Sequence, residues 1–181
     1  LKFIALDFET ANYARTSACA LGLVVVKNGV IIEQKVWLIK PIPFSFNFSW
    51  LHGITEEHVA NAPTFAQIWN ELKDLLDYQI VVAHNAGFDV GVLAALLNYF
   101  DLPPPNFRYF CSVQMARRTW KKLPGYNLKA LSDKFNIKLK HHDALSDTIA
   151  CAKLVLQASQ DIQIQTAPEL CKHLNLKLQQ F

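Results

Sequence analysis

The chain has 181 residues, 51% of them hydrophobic and 18% charged, with a formal net charge of +3. That length suits one domain with a full core, and that balance excludes disorder and low complexity. The small positive charge is compatible with a polyanionic partner, but there is no basic tail that would by itself argue for nucleic acid. The longest apolar stretches, such as Leu23–Val26 and Val92–Leu97, fall far short of the roughly 20 residues that cross a bilayer, so no membrane partner is expected. The first residues already read as strand and acidic motif rather than signal peptide, and a start at Leu1 rather than Met reads as an excised or trimmed domain. Cys19, Cys111, Cys151 and Cys171 are scattered with no C-x-x-C spacing, which predicts reduced core thiols in a cytoplasmic protein.

A first strand is predicted over about Lys2–Glu9. Ala20–Lys27 and Val30–Ile39 flank Asn28-Gly29, a strong two-residue hairpin signal between β-branched runs. The opening is therefore an antiparallel meander, not the βαβ start of a dinucleotide fold. A loop rich in proline and aromatics runs from Lys40 to about Leu51. Phe65, Ile68, Trp69, Leu72, Leu75 and Leu76 recur at helical spacing and predict a helix over Thr64–Leu76. Ile80–Ala83 is a short buried strand. Val90, Leu93, Ala94 and Leu97 mark a helix that stops before Pro103-Pro104-Pro105. A fifth strand is predicted at Arg108–Cys111, then helices near Val113–Thr119, Leu128–Phe135 and Ala144–Gln157. This order implies an α/β fold: a five-stranded mixed sheet with helices on both faces. The domain is expected to span residues 1–158, with 159–181 a C-terminal helix or tail.

Four acids stand out. Alternate strand residues share a face, so Asp7 and Glu9 project together while Phe8 points into the body of the domain. Two carboxylates about 4 Å apart repel by roughly 4 kcal/mol at an effective dielectric of about 20, which calls for a compensating cation. Asp89 closes His84-Asn85-Ala86-Gly87-Phe88-Asp89 at the mouth of a helix, and Asp147 lies in the first turn of the last core helix. Taken singly, either is an ordinary helix-terminal acid, as is the expected N-cap Asp143. Together, Asp7, Glu9, Asp89 and Asp147 are the oxygen ligands that hard divalent ions take. Two such ions clamp the attacking and leaving oxygens of an in-line phosphoryl displacement. His142 is the candidate proton acceptor, its ordinary pKa lying near 6.5. Its neighbour His141 reads as a solvated loop residue.

Asp7-Phe8-Glu9-Thr10, the His84–Asp89 segment and His142-x4-Asp147 resemble the three motifs of the DEDD exonuclease superfamily. Position 143 is Asp, which excludes the tyrosine branch. The chain is thus similar to the histidine subclass (DEDDh), whose type member is the proofreading epsilon subunit of bacterial DNA polymerase III. The resemblance runs from about Phe3 to Leu156. It implies a ribonuclease-H-like three-layer αβα fold, two Mg²⁺ or Mn²⁺ ions, and release of nucleoside 5′-monophosphates from single-stranded 3′ ends. Asp7, Glu9 and Asp147 would hold the first ion, Asp7 would bridge to the second with Asp89 contributing, and His142 would be the general base. Phe8, Thr10 (through its backbone N–H), Leu51, His52, Gly53, His84, Asn85 and Phe88 are the implied substrate contacts.

Trp50 and Ile54 read as packing under the long loop, Tyr126 as packing at the Pro124-Gly125 corner, and Arg117, Arg118, Lys121 and Lys122 as a solvated helix end. A haloacid-dehalogenase-type phosphatase also opens on a strand ending in Asp-x-acid, but it needs an early βα crossover where this chain has a hairpin. A silent docking module would have lost an acid or His142. DNA is favoured over RNA as substrate, with tRNA trimming and oligoribonucleotide scavenging as alternatives, and a DNA polymerase subunit is the protein partner the resemblance permits.

Overall fold

The computed structural model describes residues 1–181. Its centre is a six-stranded mixed sheet in the order β3-β2-β1-β4-β5-β6. Strand β1 (Phe3–Thr10) pairs antiparallel with β2 (Ala18–Lys27), which pairs antiparallel with β3 (Val30–Leu38) across the Asn28-Gly29 turn. Both turn residues have positive φ, as a two-residue hairpin turn of this kind requires. On its other side β1 runs parallel to β4 (Ile80–Ala83), which runs parallel to β5 (Arg108–Cys111).

The sheet has one strand more than predicted. Gln179 and Gln180 form β6, antiparallel to β5. Two glutamines carry neither apolar alternation nor β-branched character, so no sequence signal marks them. The chain reaches that edge through α8 (Ala167–His173), whose Leu170 and Cys171 join the core beside Val155 and Ala158. The boundary expected at residue 158 lies inside α7 (Ala144–Asp161), and the segment after it packs on the same core.

Alternation along β1 feeds two cores. Ile4, Leu6 and Phe8 pack with α3 (Phe65–Leu76) and α4 (Gly87–Tyr99) on one face. Phe3 and Ala5 pack on the other face with α7, α5 (Ser112–Thr119) and α6 (Leu128–Lys134). These layers give the expected αβα arrangement. The stretch between β3 and α3 also holds two short helices that periodicity missed, α1 (Ser49–His52) and α2 (Glu56–Val59), each a single turn.

One close approach positions the site. Gly22 on β2 is paired with Asp7, and a Cβ at Gly22 would collide with the Ala144 carbonyl and lie 2.5 Å from Thr148 Oγ1. The first turn of α7 therefore rests directly on the sheet beside Asp7, bringing Asp147 to the strand's acids. Gly22→Ala is expected to lift that turn, lowering stability by about 1–3 kcal/mol as an overpacked contact does. A thermal melt without divalent ions checks this, and an unchanged melting temperature would contradict it.

Candidate active site

Where β1 runs past the end of its pairing with β4, the Phe8 N–H is free to meet a side chain. Asp89 Oδ1, in the first turn of α4, accepts it at 2.9 Å. Asp89 thus reaches the strand's acids from one face of the sheet, and Asp147 reaches them from the other. Carboxylate oxygens of Asp7, Glu9 and Asp147 lie within 4.8 Å of one another. Glu9, Asp89 and Asp147 are buried. Asp147 Oδ2 accepts the His142 N–H at 3.1 Å, while its buried Oδ1 has no partner at all. An unpartnered buried carboxylate oxygen among other carboxylates is what a hard-cation site leaves when no ion is bound, so the donor set fits divalent metal.

Burial pushes every one of these acids upward, and repulsion from neighbouring carboxylates adds to it at Asp7 and Glu9. Glu9 rises to about 8, chiefly through desolvation and then through Asp147 and Asp89. Desolvation raises Asp89 to about 7 against the opposing Phe8 hydrogen bond. Asp7 is raised well above its usual range by burial and by all three neighbours, and Asp147 is raised by burial.

His142 sits at φ 65°, a left-handed conformation that folds the loop back so its N–H meets Asp147. Burial and the adjacent His141 lower its pKa, outweighing the Asp147 charge, so the ring is neutral near pH 7 and free to take a proton. His141 is an exposed turn residue, as the sequence predicts, but it also makes contacts that the sequence did not mark. Its ring stacks on that of His142 at 3.8 Å, and its Nδ1 lies 3.1 Å from Asp147 Oδ2. It is a positioning residue, and no spacing rule links a residue to an acid six places on. Asp143 caps α7 as expected, accepting the Ser146 N–H at 3.0 Å.

These groups line an open cleft of about 350 Å³ together with Phe8, Thr10, Leu51, His52, His84, Asn85 and Phe88. Of the implied substrate contacts, only Gly53 lies outside it. Its φ of 75° closes α1 with an N–H to Ser49 O, a left-handed helix cap that favours glycine. Phe8 is 3% exposed with its ring in the α3/α4 core, as its inward position on β1 predicts. His52 and His84 act as struts. Nδ1 of His52 accepts the Ile54 N–H, leaving Nε2 to donate to Thr10 O at 3.2 Å. His84 spans Ser112 Oγ at 2.8 Å and Tyr126 O at 3.1 Å, and burial lowers its pKa to about 4. Phe48, Asn127 and Leu128 complete the wall. They come from a loop aromatic and the start of α6, and sequence pattern did not single them out.

Trp50 also departs from its expected packing. It is 79% exposed on α1, beside the cleft residue Leu51. Tyr126 does pack at its corner, its hydroxyl donating to Trp120 O and accepting from Leu123 N. In the basic cluster, Arg118 donates to Leu174 O and Asn175 O at the end of α8, while Arg117 lies over the Tyr126 ring.

The raised acids tie stability to pH. The folded chain keeps protons on Glu9 and Asp89 that the unfolded chain releases near pH 4. Their contribution is therefore complete at low pH and lost as pH rises through about 7 and 8. Without divalent ions, the melting temperature should fall between about pH 5 and pH 9, and Asp7→Asn should flatten that fall. Melts across pH, with and without Mg²⁺, check this; a slope of opposite sign in metal-free protein would contradict it.

The Exonuclease family model, RNase_T, matches residues 4–155. The chain is 29% identical over 164 residues to the PolC-type DNA polymerase III of Bacillus subtilis strain 168, covering 88% of this chain and 11% of that protein. It is 32% identical over 146 residues to the PolC-type enzyme of Streptococcus pneumoniae strain D39, covering 77% and 10%. The chain thus spans about a tenth of these relatives' length. Among solved structures it is similar to exonuclease X in complex with 5′-overhanging duplex DNA, with TM-score 0.77 and 25% identity, covering 95% of this chain and 99% of that one. The nuclease domain of 3′hExo, a DEDDh family member, shares the fold at TM-score 0.76 and 18% identity, covering 88% and 92%. The match across residues 4–155, which takes in the cleft's four acids and its histidine, shows that this chain belongs to the exonuclease family.

Proposed function

We propose that the chain is a 3′→5′ exonuclease that removes nucleoside 5′-monophosphates from single-stranded DNA ends with two divalent ions. The observation carrying this reading is the convergence of Asp7, Glu9, Asp89 and Asp147 on one open cleft beside a neutral His142. Asp7, Glu9 and Asp147 would hold one ion, and Asp7 with Asp89 the second. Mg²⁺ or Mn²⁺ bound there supplies charge stabilisation for an in-line displacement at phosphorus.

The chain's own groups do the rest. His142 accepts a proton from the attacking water as its oxygen bonds to the scissile phosphorus; the bond to the preceding 3′ oxygen breaks, and that oxygen leaves with the electron pair and takes a proton from solvent to become the new 3′ hydroxyl. His141 holds the imidazole by stacking and holds Asp147 through Nδ1. Phe48, Leu51 and Phe88 present apolar surface to the terminal nucleotide, and Trp50 offers an exposed ring beside them.

Support for DNA comes from the polymerase relatives, and a polymerase partner is proposed on the same ground. A second reading, RNA trimming, is favoured by the fold shared with 3′hExo, which was solved bound to rAMP. The deciding experiment incubates 5′-labelled single-stranded DNA, matched RNA and duplex with Mg²⁺, Mn²⁺ or chelator. A metal-dependent ladder that shortens from the 3′ side, faster on DNA than RNA, is expected. Shortening from the 5′ side, or activity in chelator, would overturn the reading.

Two substitutions test the roles. His142→Ala should lower kcat by about 10²–10⁴-fold near neutral pH while leaving divalent-ion binding intact. Trp50→Ala should leave the melting temperature unchanged and raise KM, a stacked base being worth roughly 1–3 kcal/mol. Loss of stability with unchanged KM would return Trp50 to a packing role.

A further inference from the structure

The β3 edge of the sheet is open. Strand β3 has only β2 as a neighbour, so the outer backbone groups of a nine-residue strand have no strand to pair with. Edge strands are ordinarily blunted by shortness, proline or outward charge. Here Val30, Ile32, Val36 and Leu38 are instead 61%, 58%, 53% and 41% exposed, an apolar row along an open edge.

The occupant is indicated by the order of residues in the strand itself. The sequence Val30-Ile31-Ile32-Glu33-Gln34-Lys35-Val36-Trp37-Leu38 is complementary to its own reverse about Gln34. Two copies paired antiparallel on a twofold axis through Gln34 set Glu33 opposite Lys35 of the second copy, on both sides of the axis. Ile32 then faces Val36, Ile31 faces Trp37 and Val30 faces Leu38, while Gln34 meets Gln34 as amide to amide. Directly opposed side chains are the unit that stabilises a sheet, and opposite charges or apolar pairs are the favourable ones. An axis through residue 33 would set Glu33 on Glu33, and one through residue 35 would set Lys35 on Lys35. Axes between residues set Ile32 against Lys35, or Glu33 against Val36. Of these five axes through the strand's centre, only the one at Gln34 is free of conflict.

The charges are already arranged for it. Lys35 Nζ lies 3.2 Å from Glu33 and 2.7 Å from Glu71 of α3, so Glu33 and Lys35 share one face of the strand. Across the axis they become four charges alternating in sign. The irregularity in the β2–β3 ladder leaves Ile32 without a partner on β2, so the regular stretch from Glu33 to Leu38 contains the axis.

We propose that the β3 edge is a self-association surface, where two copies of this chain join their sheets through antiparallel β3 strands about a twofold axis at Gln34. Such an interface uses one patch on both subunits and closes at a dimer, which also removes the exposed edge.

The test measures mass in solution by light scattering and sedimentation across a dilution series. The protein should move from dimer to monomer on dilution. Val36→Lys, which sets a charge against Ile32, should be monomeric with unchanged nuclease activity and, at a dilution where the parent is also monomeric, the parent's melting temperature. Gln34→Cys should form an intermolecular disulfide on mild oxidation, because antiparallel partners stand about 4.5–5.5 Å apart between Cα atoms, within disulfide reach. Glu33→Cys should not, since its own copy lies two residues out of register. A monomer at every concentration overturns the proposal. So does a dimer that survives Val36→Lys, or one that Glu33→Cys locks as readily as Gln34→Cys.

Discussion

Repulsion among four carboxylates at the end of β1 is the constraint around which the molecule is organised. Strand geometry forces Asp7 and Glu9 onto one face, and helices from opposite layers add Asp89 and Asp147. Each close pair costs on the order of a few kcal/mol in a protein-like dielectric, against a net folding stability of about 5–15 kcal/mol. What holds them is the packing on both sides of the sheet: Leu6 and Phe8 anchor the strand in one core, and Ala150, Cys151 and Leu154 anchor α7 in the other. The acids are confined by rigid elements, which is the preorganisation a metal site needs.

The histidines show how the same residue type is divided between chemistry and construction. His142 is kept neutral and presented to the cleft by a left-handed loop residue whose N–H is fixed on Asp147. His141 braces both. His52 and His84 line the same cleft, yet each has both ring nitrogens committed to protein partners. They tie the α1 loop to β1, and the end of β4 to α5 and the turn before α6, so they set the cleft's shape rather than bind by hydrogen bonding. The left-handed Asn85 between His84 and α4 turns the chain so that Asp89 can reach across to β1.

Most of the framework was legible because it rests on short-range rules. The hairpin followed from Asn28-Gly29, α3 from its apolar spacing, and β4 and β5 fell within Ile80–Ala83 and Arg108–Cys111. The features that escaped depend on distant contacts. Strand β6 exists only because β5 offers an edge to pair with, and α1 and α2 are single turns that no period can mark. Trp50 looked like a packing residue because a large apolar side chain usually is one, and only the path of the loop puts it in solvent.

The sequence alone determined the identity of the four acids and the histidine, the face that Asp7 and Glu9 share, and the meander that opens the fold, because periodicity and turn chemistry are local. Tertiary structure decided that α7 rests on Gly22 and carries Asp147 to Asp7, and that Asp89 grips the Phe8 N–H. It also decided that His141 stacks on His142 and meets Asp147, and that Gly53 caps α1. Those outcomes follow from which elements pack against which, and a linear order of residues does not contain the distances between them.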